Sequence, residues 1–192
     1  MPIAVEAKNL SVSYNGFVAL DDLNFTFPEG KYIAIVGPNG SGKTTLLKVI
    51  LNMLKPSSGS INIYGKSRED VDPSMIGYVP QFKTIDRTFP ATALELVLSG
   101  IHNKWITFKN RKDNATAMDV LESVGAAEYS GKQLSSLSGG QLQRVYLARC
   151  FGRNPKIILL DEPATGVDLV CESSVNSLIE DYNKRNKATL IM

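Results

Sequence analysis

The 192-residue chain is 43% hydrophobic and 21% charged with a formal net charge of +2, the balance of an ordinary globular domain long enough for a core and a smaller attached unit. So small a charge excludes the strong basic excess of a nucleic-acid binder. The two cysteines, Cys150 and Cys171, lack the spacing of a metal site, and a reduced, cytosolic chain is the simplest reading. The start, MPIAVEAKNL, carries Glu6 and Lys8 where a signal peptide needs apolar residues, and Lys48 and Asn52 interrupt LLKVILNML, the most apolar stretch, well short of the ~20 apolar residues of a membrane span.

In chain order, residues 3–27 and 60–64 alternate between apolar and polar. Leu10, Val12 and Tyr14 share one face, and Leu23, Phe25 and Phe27 share another. Turn residues at Asn15-Gly16, Asp21-Asp22 and Pro28-Glu29-Gly30 separate these runs. The pattern predicts antiparallel strands with one wet face. YIAIV (32–36) is continuously apolar, which predicts a strand buried on both faces of a parallel sheet. KTTLLKVILNML (43–54) is apolar nearly all round and predicts a buried helix.

Leu94, Val97, Leu98 and Ile101 then form one helical stripe within 92–101. Met118, Leu121 and Val124 form a second within about 111–124, so about 82–136 reads as a mostly helical insertion. KIILL (156–160) and ATLIM (188–192) complete the buried strands. The expected fold is α/β: a parallel-sheet core with right-handed crossovers, an N-terminal antiparallel β part and the helical insertion. Core and β part then span 1–81 and 137–192.

Gly37-Pro38-Asn39-Gly40-Ser41-Gly42-Lys43-Thr44 fits G-x-x-x-x-G-K-[ST] and lies between a predicted buried strand and a predicted helix. Its glycines permit a backbone that wraps a phosphate with successive N–H groups. Lys43 is suited to bridge the β- and γ-phosphates, and the Thr44 hydroxyl to ligate Mg²⁺; Thr45 follows at the head of the helix. IILLDEP (157–163) ends a hydrophobic strand in two acids. Asp161 there is suited to hold Mg²⁺, and Glu162 to orient and deprotonate an attacking water. Gln81, in IGYVPQ, is a candidate amide touching both metal and water. In LSGGQ (137–141), Ser138, Gly139, Gly140 and Gln141 open a predicted helix whose N–H groups attract an anion, yet no lysine stands there. Capping its own helix accounts for the serine but not for the paired glycines.

These motifs, in this order and with ATGVD directly after the acidic strand, make nearly the whole chain resemble the nucleotide-binding subunit of ABC transporters. The resemblance implies a P-loop NTPase (RecA-like) core that binds and hydrolyses ATP with Mg²⁺. It further implies that two such domains meet head to tail, in the simplest case as a homodimer. The signature Ser138–Gln141 of one copy then faces the phosphate loop of the other. By the same resemblance Tyr14 stacks on adenine, Gln81 senses the γ-phosphate and Asp168 couples the two sites. The helical insertion docks on transmembrane permease subunits, with a substrate-binding protein as a further partner. That places the chain on the cytoplasmic face of the cell membrane.

The stretch from IGYVPQ to LVLSG resembles ATPases of bacterial importers for zinc, manganese or iron complexes. An exporter, a non-transport ATPase of DNA repair or translation, and a nucleotide-binding regulator are the alternative expectations. The gap between Lys43 and Ser138 is too short for a long coiled coil, which disfavours the DNA-repair type. The family carries a histidine beyond its last strand, a position this sequence does not reach. The only histidine is His102, so a truncated chain with impaired turnover is a further expectation.

Overall fold

A computed structural model of the chain describes residues 2–14, 16–81, 89–102, 111–161 and 169–192, with the backbone alone for 169–172. Two four-stranded sheets organise it. The first is antiparallel, with β1 (Ile3–Tyr14), β2 (Phe17–Pro28), β4 (Ser58–Ile63) and β5 (Lys66–Ser67) in the order β2-β1-β4-β5. The second is parallel, with β3 (Tyr32–Ile33), β6 (Ile76–Val79), β7 (Ile157–Leu160) and β8 (Thr189–Ile191) in the order β3-β8-β7-β6. Among the described residues the helices are α1 (Lys43–Ile50), α2 (Ala93–His102), α3 (Arg111–Ser123), α4 (Gly139–Phe151) and α5 (Leu169–Asn186).

All four residues of β7 are buried, because alternate side chains serve different cores. Ile157 and Leu159 join Leu46, Leu47, Val49 and Ile50 of α1 and the inner face of the antiparallel sheet. Ile158 and Leu160 join α2, α4 and α5 on the opposite side. α1 therefore packs in the core shared by the two sheets, with its N-terminus at the carboxyl edge of the parallel one. The predicted helices in the insertion are present: Leu121 and Val124 are buried, as are Ala93, Leu96, Val97 and Leu98. His102, at the end of α2, lies with its Nε2 2.9 Å from Asp113 Oδ2 on α3. Cys150 is buried in α4, and burial pushes its thiol up to about 12, so it packs as a small hydrophobe.

Three expectations need correction. Asp21-Asp22 is not a turn; β2 runs through it as a bulge. Asn9 and Asp22 both have positive φ, and side chains replace the missing ladder: Asn9 Nδ2 donates to Asp22 Oδ1 at 2.8 Å, and Asp22 N to Ser11 Oγ at 3.0 Å. Residues 32–36 are not covered on both faces. β3 is an edge strand of the parallel sheet, and Tyr32 and Val36 on one face are 45% and 91% exposed, while Ile33 and Ile35 pack inward. The helix predicted over 43–54 stops at Ile50. Asn52 turns left-handed, and Met53 N donates to Lys48 O at 2.9 Å, the closing bond of a helix C-cap. No helix among the described residues is long and apolar enough to cross a membrane.

Candidate functional site: a phosphate cleft at the head of a helix

α1 begins at Gly42, whose φ of 90° is a left-handed conformation suited to glycine. A Cβ there would also lie 2.6 Å from the Ala19 carbonyl oxygen of β2. Strand and loop are thus in backbone contact. Among the described residues no side-chain cap bond is made at the start of α1, and no acid lies in its first turn, so its leading N–H groups suit an anion. Gly40 also has positive φ, and a Cβ on Gly37 would lie 2.6 Å from Ser41 Oγ, so the serine hydroxyl would have to turn away. Ser41 N donates to Pro38 O at 3.2 Å. Lys43 Nζ bends back over the loop and donates to Gly37 O at 2.7 Å and Pro38 O at 2.9 Å. This places the ammonium on the open side of the backbone cradle.

A cleft of about 240 Å³ opens in front of the loop. Gly40, Lys43, Thr44 and Asp161 line it, together with Tyr14 and Phe17. Asn39 and Thr45 complete the loop side. Asp161 follows directly on β7, and its N–H donates to Val79 O at 3.1 Å. Tyr78 on β6 directs its hydroxyl at Asp161 Oδ2, 3.4 Å away. Burial first, and the Asp161 charge second, raise the Tyr78 phenol, so it stays protonated and able to donate. Val79 pairs with Leu160, so Gln81 and Asp161 leave the sheet at the same edge, and Gln81 is half-buried there.

The residues present fit a magnesium nucleotide. The uncapped helix and Lys43 supply positive potential for phosphate, and the Thr44 hydroxyl and Asp161 carboxylate in one cleft are the hard oxygen donors Mg²⁺ requires.

The head of α4 is built differently. Ser138 is its N-cap: Ser138 Oγ accepts from Gln141 N at 3.3 Å, and Gln141 Oε1 accepts from Ser138 N at 3.0 Å. This reciprocal capping box leaves Ser138 exposed and Gly139 and Gly140 half-exposed. The structure thus gathers Tyr14, the loop, Lys43, Thr44 and Asp161 at one cleft, while Ser138–Gln141 lines none of it. Glu162 and Asp168 lie outside the described residues. Phe17 was missed by sequence reasoning. The signal was present, since an Asn-Gly hairpin turn sets residue 17 opposite residue 14.

A phosphate cradle between a parallel strand and its helix defines a P-loop nucleotide-binding α/β domain. More particularly, residues 20–165 match the family model for ABC transporters, and the chain belongs to that family. It is 41% identical over 190 residues to the manganese transport system ATP-binding protein MntB of Bacillus subtilis, covering 98% of this chain and 76% of that protein. It is 36% identical to the zinc transport system ATP-binding protein TroB of Treponema pallidum, covering 98% and 71%. Among solved structures, a dimeric post-hydrolysis state of an ATP-binding cassette bound to ADP and Pi superposes with a TM-score of 0.82 at 29% identity, covering 97% of this chain and 86% of that one. The chain is an ABC ATPase: it binds ATP with Mg²⁺ and hydrolyses it to power a membrane transporter.

The contact at Gly42 yields a prediction. Gly42→Ala must place a side chain at a left-handed φ and against a backbone carbonyl, so ATP affinity measured by calorimetry should fall more than about ten-fold, with a stability loss of at least ~1 kcal/mol in urea unfolding. Gly131→Ala, which meets nothing within 4 Å, should change neither.

Proposed function

We propose that each triphosphate is held between two copies of this chain, and that its hydrolysis powers the import of a metal ion. The observation that carries the first part is the contrast between two helix heads: α1 uncapped beneath Lys43, and α4 capped but exposed and away from the cleft. In this reading the N–H groups of 37–45 and Lys43 grip the β- and γ-phosphates of ATP. Thr44, Asp161 and Gln81 hold Mg²⁺, which when bound draws charge off the phosphate oxygens. Tyr14 stacks on adenine, and Glu162 takes the proton of the attacking water as its oxygen bonds to the γ-phosphorus and the bond to the β–γ bridging oxygen breaks, releasing ADP and phosphate.

The partner copy closes the open side with Ser138, Gly139, Gly140 and Gln141. Ser138 can keep its cap while doing so: its oxygen accepts from Gln141 N–H and its own proton remains available to donate to a phosphate oxygen. The dimeric state of the similar cassette with ADP and Pi supports pairing. Residues 1–81 and 137–192 form the core and β part of this unit, and about 82–136 the helical part that meets the permease.

As an ABC ATPase the chain works with membrane permease subunits. We place it on the cytoplasmic face, with a substrate-binding protein upstream. The manganese and zinc transport named for its relatives supports a metal-ion cargo. Uptake of labelled manganese or zinc by vesicles holding the chain and its own permease, driven by ATP from the chain's side, checks that assignment. Uptake of neither ion, in vesicles that hydrolyse ATP, contradicts it.

Two substitutions separate gripping from turnover. Glu162→Gln should bind ATP with unchanged affinity and lower kcat by at least about 100-fold, the scale of a lost general base. Ser138→Arg should bind ATP as a single chain and lose turnover to the same degree. Normal turnover by either variant, followed as phosphate release, removes that residue's role.

A further inference from the structure

We propose that Phe17 is a second residue of the nucleobase site, forming with Tyr14 an aromatic pair at the mouth of the phosphate cleft that takes the flat face of the base. This rests on the nucleotide reading of the cleft given above. Tyr14 and Phe17 are direct register partners at the end of the β1–β2 hairpin, and residues directly opposite each other project from the same side of an antiparallel pair. Both line the cleft that also contains Gly40, Lys43, Thr44 and Asp161. Two residues on, Ala19 touches Gly42 through its carbonyl, so the strand carrying Phe17 is fixed against the loop that receives the phosphates.

Phe17 is 66% exposed and Tyr14 38% exposed. On β1, residues Leu10 and Val12, which alternate with Tyr14, are buried. The apolar face thus continues past the core and ends as two uncovered rings beside a polar phosphate cradle. A nucleotide has the same polarity, with a charged tail and an apolar, aromatic head. Base–aromatic stacking reads a π-face and not a hydrogen-bonding edge. Phe17 therefore adds affinity without choosing between adenine and guanine.

The experiment is calorimetry with ATP, GTP and inorganic tripolyphosphate, each with Mg²⁺, on the unmutated chain and on Phe17→Ala, Phe17→Trp and Lys43→Ala. Phe17→Ala should bind ATP and GTP roughly ten-fold more weakly, each by the same factor. It should bind tripolyphosphate, which has no base, as the unmutated chain does. Phe17→Trp should restore nucleotide affinity, and Lys43→Ala should weaken all three ligands. If Phe17→Ala binds ATP normally while Lys43→Ala does not, the role of Phe17 is overturned and the phosphate site stands. Equal losses for ATP and tripolyphosphate also overturn it, because the change then acts through the loop. An unmutated chain that binds neither ATP nor tripolyphosphate overturns the underlying nucleotide reading, and the role of Phe17 with it.

Discussion

Among the described residues no side-chain bond caps the head of α1, and much of the fold serves to hold its leading N–H groups where an anion can receive them. An uncapped helix start is a cost in an isolated helix. Here it is sustained by apolar packing at the other end of the same element. Leu46, Leu47, Val49 and Ile50 are anchored in the core between the two sheets. Gly42 sits hard against the Ala19 carbonyl, so the antiparallel sheet buttresses the loop and carries Tyr14 and Phe17 to its rim. The parallel sheet brings Asp161 to the same opening from the end of β7, a strand buried along its whole length. The glycine loop, the edge carboxylate and the aromatic rim of one cleft are thus carried by elements that share one apolar core.

The second glycine-led helix follows the opposite design. α4 satisfies its own first turn through the Ser138–Gln141 capping box, so it stands exposed without a ligand at little cost. Its glycines leave the backbone beside that cap partly open, with Gly139 and Gly140 half-exposed. Arg144, on the same helix, donates to Val124 O beyond α3 at 2.6 Å and to Ser174 Oγ on α5 at 2.5 Å. The helix that opens at Ser138 is therefore tied to both its neighbours.

What could be read from the sequence was whatever depends on neighbours in the chain. The apolar KIILL and the acid after it became a central strand and its edge carboxylate. The stripe through Val97 and Leu98 became α2, and the glycine spacing became the loop. What could not be read depended on partners distant in sequence. Asp21-Asp22 looked like a turn because its pairing with Asn9 and Ser11 across β1 is invisible locally. Tyr32–Val36 looked doubly buried because apolar content does not tell a central strand from an edge. The pairing of Phe17 with Tyr14 is legible in the Asn-Gly turn, but its place in the cleft is not, because that comes from the contact of Ala19 with Gly42 across the chain.

The central claim is that a complete site takes its loop from one copy and its signature from another. Mixing two variants tests it most directly. Lys43→Ala lacks the loop cation and Ser138→Arg lacks the signature, and neither alone should pair on addition of ATP. Their mixture contains one intact site per mixed pair, with Lys43 from one chain and Ser138 from the other. Sedimentation velocity should show ATP-dependent pairs in the mixture, holding one ATP per pair. A mixture that stays as single chains under conditions where the unmutated chain pairs, or pairing by Lys43→Ala alone, contradicts the account.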